Sequence, residues 1–159
     1  MKATAPADRW RIAVHEAAHA VVLYHLGLGT ADSVSATPDA ISAGRCSQRN
    51  QAWDKELAQR FLVMLAAGRA AENVFTGTRR LVDGTDNLKA WKLIQRFELG
   101  ADALSKAHDR ATELCTTKLW AHIAAFASIL QDMVEMDRDA VDEMLVGVPW
   151  DLGSAGGAA

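Results

Sequence analysis

The sequence predicts a mainly helical domain, a helical bundle with one small two-stranded β-ribbon beside the helix that carries His15 and His19. Three observations predict it. Apolar residues return at helical spacing through most of the chain, as Leu57, Phe61, Leu65 and Gly68 do at i, i+4, i+8 and i+11. Only residues 31–50, "ADSVSATPDAISAGRCSQRN", lack that period and are rich in Ser, Thr, Gly and Asp. The chain has 159 residues, of which 50% are hydrophobic, enough for one domain with a real core.

The elements follow in order. Residues 1–7 read as a flexible tail, and residues 8–146 as a single domain. Asp8 is placed to cap a first helix running to about Leu26, where Gly27 and Gly29 end it. Two short strands are expected near 33–37 and 43–48, joined by a turn at Pro38-Asp39. A second helix spans about Trp53 to Phe75. Gly68 lies inside it at a cost of about 1 kcal/mol against alanine, which marks close packing on a neighbour. After a loop at 76–87, a third helix begins near Thr85 or Asp86 and breaks at Gly100. One long helix is expected from about 102 to 134, then a short one capped by Asp137. Residues 147–159 read as a flexible tail.

Composition excludes several functions. The net charge is −3 and only Arg79-Arg80 pair along the chain, so no basic stripe points to nucleic acid. No apolar run approaches the roughly 20 residues a membrane span needs, and "MKATAPADRW" is no signal peptide. Cys46 and Cys115 lack metal-ligand spacing and read as reduced thiols, with a single disulfide as the alternative. A cytoplasmic protein is expected.

Chemistry concentrates in "AVHEAAHAVVLYHLG" at 13–27. Residues four apart on a helix differ by about 40° of rotation and 6 Å of rise, so His15 and His19 leave one face a turn apart. That geometry suits two ligands of one tetrahedral zinc ion. Glu16 lies about 100° round, on the flank of that face, where it can act on water without being a ligand. Only five histidines occur in the chain, and small alanines surround these two. His25 falls on another face and reads as structural. A catalytic zinc takes a third protein ligand, and Glu72, Asp83 and Asp86 are the candidates; spacing does not choose among them. Glu72 has a second use, orienting a histidine through its free ring nitrogen or bridging to Arg69.

"AVHEAAHAVV" resembles the "HEAGH" helix of the FtsH-type zinc proteases, and "LAAGRAAENVFTG" resembles their "LGGRAAEEIIFG" helix. "SVSATPDAISAG" is similar to their strand-turn-strand segment and "DGTDNLKAWKLI" to their "GASNDLERATKLA" segment. The stretch from "RATELCTTKLW" to "DAVDEML" resembles their C-terminal helices, so the likeness runs over about residues 9–146. Ala18 stands where the family has glycine, and neither membrane spans nor the phosphate-binding G-x-x-x-x-G-K-[ST] pattern is present. The resemblance implies the FtsH-like peptidase fold and makes Asp86 the third zinc ligand; aligning Leu88 with the family's leucine would put Asn87 there instead. It implies a Zn²⁺ metalloendopeptidase with Glu16 as general base, working without ATP on extended or unfolded polypeptide. A homo-oligomer is one association it raises, since relatives form rings; a separately encoded ATPase is another, which nothing in this chain supports. The competing expectation is a non-catalytic zinc-binding interaction module that keeps the fold. The expected strand near 43–48 would carry substrate by strand addition. The aromatic stripes at 53–61 and 91–97 read as core.

Overall fold

The computed structural model describes residues 6–36 and 53–151. Among them are six helices, α1 (Pro6–His25), α2 (Lys55–Thr76), α3 (Gly84–Phe97), α4 (Ala103–Thr116), α5 (Trp120–Met133) and α6 (Arg138–Leu145), and two short strands, β1 (Ser33–Ser35) and β2 (Glu135–Asp137). The chain is mainly helical with a small antiparallel sheet.

α1 is the axis of the core. Val14, Ala17, Ala18, Val21 and Val22 are wholly buried on several of its faces, as expected of a helix apolar nearly all round. It packs between α2 and α5, and α4 covers the far side of α2. Alanines at 13, 17, 18 and 20 of α1 and at 66, 67, 70 and 71 of α2 belong to one buried cluster, and side chains that small let the two packed helices come close. At the end of α1, Gly27 is left-handed (φ 67°). Its N–H bonds to Tyr24 O at 2.9 Å and the Leu28 N–H to Leu23 O at 3.0 Å, a glycine-dependent helix stop. Asp8 lies in the first turn of α1 rather than before it. Asp54 caps α2 by accepting from Leu57 N at 2.8 Å, and Asp137 caps α6 by accepting from Ala140 N at 3.0 Å.

Among the described residues β1 pairs with β2, about a hundred residues on, with Val34 opposite Met136; the expected strand at 43–48 lies outside the described residues. Other expectations are corrected. The long helix expected over 102–134 is two helices. Thr112, Thr116 and Thr117 hydroxyls donate back to the carbonyls of His108, Thr112 and Glu113, an alternative to the helical ladder. Beyond them Leu119 turns inward and is fully buried. α5 then ends at Val134, whose φ of 67° is strained for a β-branched residue and redirects the chain into β2. α3 ends at Phe97 with left-handed Glu98, ahead of Gly100. Trp91, in the stripe expected as core, is exposed, as is Leu88 one turn before it. Trp53, 39% exposed, stacks near Phe61 and Phe97 at the edge of a cleft.

Candidate metal centre

α1 carries His15 and His19, and the first turn of α3 brings Asp86 over them. The Nε2 atoms of the two histidines lie 3.0 Å apart. Asp86 Oδ2 is 3.2 Å from each. The three atoms form a nearly equilateral triangle. Zinc bonds of about 2.0–2.1 Å at tetrahedral angles put neighbouring donors about 3.3 Å apart, so the triangle has the size of one face of a zinc tetrahedron. Two imidazole nitrogens and a carboxylate oxygen are also an ordinary donor set for a catalytic divalent ion.

The outward-facing nitrogens are set from behind. His19 Nδ1 donates to Met64 O at 2.8 Å, and His15 Nδ1 donates to Glu72 Oε1 at 2.5 Å. Each bond leaves Nε2 directed at the triangle, as orienting partners of metal-binding histidines do. Glu72 is itself clamped on its other oxygen by Arg11 (2.8 Å) and Arg69 (3.1 Å). Of the three acidic candidates, only Asp86 reaches the Nε2 atoms of the two histidines. Glu72 stands behind His15, and Asp83 is taken by Arg69 Nη2.

α2 forms the floor. A Cβ at Gly68 would sit 2.5 Å from His15 Nε2 and 2.6 Å from His19 Nε2. Any side chain there would occupy the space the nitrogens face, which gives a physical reason for the unfavourable glycine in mid-helix.

The electrostatics are those of a buried charged cluster. Burial disfavours a charged His15, but hydrogen bonds to Asp86 and Glu72 outweigh it and raise its pKa to about 9. Burial also opposes the charge on Glu72, yet its bonds to His15 and Arg11 hold it at about 2. Asp86 is kept well below the usual carboxylate range, since its bonds to both histidines overcome burial. Glu16 behaves oppositely: burial raises its pKa, with the histidines offsetting only part of the rise. Its Oε2 is buried and has no hydrogen-bond partner among the described residues.

No family model matches this chain, and no curated protein matches it.

A cleft of about 360 Å³ opens beside the triad, reached by Glu16, His19 and Asp86. Its walls are mostly apolar, from Leu23 and Val34 on one side to Phe61, Met64 and Leu93 on the other. His25 lies elsewhere, buried, with Nδ1 on Pro149 O. Cys115 is buried, which pushes its thiol up to about 12, while Cys46 lies outside the described residues. Sequence reasoning missed the Met64 carbonyl, a backbone contact that no side-chain pattern encodes. It also missed Arg11, whose signal was available: it stands four residues before His15 on the same face of α1.

Proposed function

We propose that this protein is a zinc-dependent metallopeptidase that hydrolyses peptide bonds of extended or unfolded polypeptide. The observation that carries the reading is the 3.0–3.2 Å triangle of His15, His19 and Asp86 donors, with Glu16 beside it on the cleft and its buried Oε2 without a hydrogen-bond partner among the described residues. His15, His19 and Asp86 would hold the ion. A bound zinc would supply Lewis acidity, polarising the scissile carbonyl and bringing the pKa of water towards about 7.

The remaining steps belong to the chain. Glu16 takes the proton of the attacking water and returns it to the leaving amine, and its burial favours that uptake by raising its proton affinity. Glu72 and the Met64 carbonyl hold the imidazoles in register while charge moves. The cleft takes an apolar side chain of the substrate beside Glu16, where little water competes. Resemblance of the His15–His19 and Gly68–Glu72 segments to the FtsH-type proteases supports the same reading. Glu16 also favours an enzyme over a structural zinc module, since a closed structural site uses four ligands and has no use for a free base.

Mutation of Glu16 to Gln tests the proposal. The expected result is loss of cleavage of a fluorogenic peptide library with zinc content unchanged, near one ion per chain. Undiminished cleavage would refute it, and a zinc-loaded wild type that cleaves no peptide would favour the binding module.

A further inference from the structure

The cleft is electrically lopsided. Its carboxylates, Glu16 and Asp86, both belong to the triad end, whereas Lys89, Lys92 and Arg96 line it along α3. The three cations recur at i, i+3 and i+7, so they form one stripe on the helix. All three are exposed, and none makes an ion pair with a described residue; Arg96 lies 5.1 Å from the Phe97 ring centre. Elsewhere on this surface cations do find carboxylates at such spacings, as Arg60 does with Glu56 and Lys106 with Asp102. Lys89 acts on the Glu16 carboxylate through space; positive charge held in no close ion pair with a described residue, next to an apolar cavity, suits an occupant with an apolar side chain and a negative group.

The spacing says where that group sits. Lys89, Lys92 and Arg96 follow Asp86 by three, six and ten residues, which is about 4.5, 9 and 15 Å along the helix. An extended peptide advances about 3.3 Å per residue. A peptide crossing the triad would bring its second to fourth residue beyond the reacting bond alongside the cations.

We propose that the α3 stripe of Lys89, Lys92 and Arg96 recognises a carboxylate, from an acidic side chain or a free C-terminus, two to four residues beyond the reacting bond, in a peptide whose bulky apolar residue at that bond is seated in the cleft. The inference rests on the peptidase reading for the path of the peptide, but it concerns binding and is tested without turnover. A polyphosphate strand would satisfy the cations but has no apolar side chain for the cavity, so the observations favour a peptide.

The experiment uses the full chain carrying Glu16→Gln, with fluorescence anisotropy of labelled peptides at low salt. Three peptides share one phenylalanine in an alanine-serine background: a neutral amide, the same with glutamate three residues on, and the same with a free C-terminal carboxylate at that place. Either acidic form should bind about fivefold more tightly than the amide, the scale of one or two exposed ion pairs, and added salt should erode the advantage. Comparing the two acidic forms tells which carboxylate is used. Lys89→Glu/Lys92→Glu should abolish the preference and reverse it for a peptide with lysine in place of glutamate; Lys89→Arg/Lys92→Arg should keep it. Circular dichroism checks folding of these surface variants. Equal binding of all peptides, no binding of any, or a preference that survives charge reversal would overturn the proposal. So would tighter binding of a single-stranded oligonucleotide through the same cations. Acid-selective binding by a protein whose wild type cleaves nothing would refute the peptidase reading and leave this one standing.

Discussion

Replacing Gly68 with alanine opposes two calculable effects. In mid-helix, alanine is favoured over glycine by about 1 kcal/mol, and no left-handed φ at Gly68 forbids it. Against this, the new Cβ would lie 2.5 Å from His15 Nε2, 2.6 Å from its Cε1 and 2.6 Å from His19 Nε2. Carbon contacts settle near 3.5 Å, so rings or helix must give by about 1 Å. Overpacking of that kind costs about 1–3 kcal/mol. The sum is a loss of roughly 0–2 kcal/mol in the metal-free protein. Zinc affinity should fall much further, at least about tenfold, because the methyl enters the space the donor nitrogens face. Urea unfolding of the chelated protein and zinc titration against a competing chelator read the two terms separately. A Gly68→Ala protein that is about 1 kcal/mol more stable and binds zinc like wild type would refute the packing of α2 against the imidazoles.

Two other outcomes follow from the same geometry. Glu72→Gln keeps an acceptor for His15 but removes the charge that Arg11 and Arg69 share; zinc affinity should drop about 10–100-fold, and a change under twofold would deny Glu72 its orienting role. In the metal-free protein His15 has its pKa raised from 6.5 to about 9, so its charged form contributes stability fully below pH 6.5, and that contribution is lost as pH rises through about 9. Zinc must displace that proton, so its affinity should climb with pH between about 6.5 and 9. Calorimetry in buffers of different ionisation enthalpy should find close to one proton released per ion near pH 7.5; none would contradict the charged His15–Asp86–Glu72 cluster.

What could be read from the sequence was local. Two histidines four apart share a helix face whatever surrounds them, and Asp137 and Gly27 end or begin helices through bonds to near neighbours. Gly68 announced a close approach because its helix cost is intrinsic, although nothing in the sequence named the neighbour as the imidazoles. Choosing among Glu72, Asp83 and Asp86 needed the turn before α3, which decides that Asp83 meets Arg69 while Asp86 faces the histidines. The pairing of β1 with β2 was hidden because two three-residue strands so far apart in the chain leave no periodic signal. The helix break before Leu119 depended on threonine hydroxyls competing with the backbone, a balance that burial of Leu119 settles. The α3 cations carry no signal in the sequence, because only the fold sets a cavity beside them.

The central claim is most directly tested by anomalous diffraction at the zinc absorption edge from crystals of the zinc-loaded protein. The account predicts one strong peak about 2.0–2.2 Å from His15 Nε2, His19 Nε2 and an Asp86 carboxylate oxygen, with Glu16 free of the ion. A peak elsewhere, or one at the histidines with Glu16 or Glu72 in place of Asp86, would contradict it.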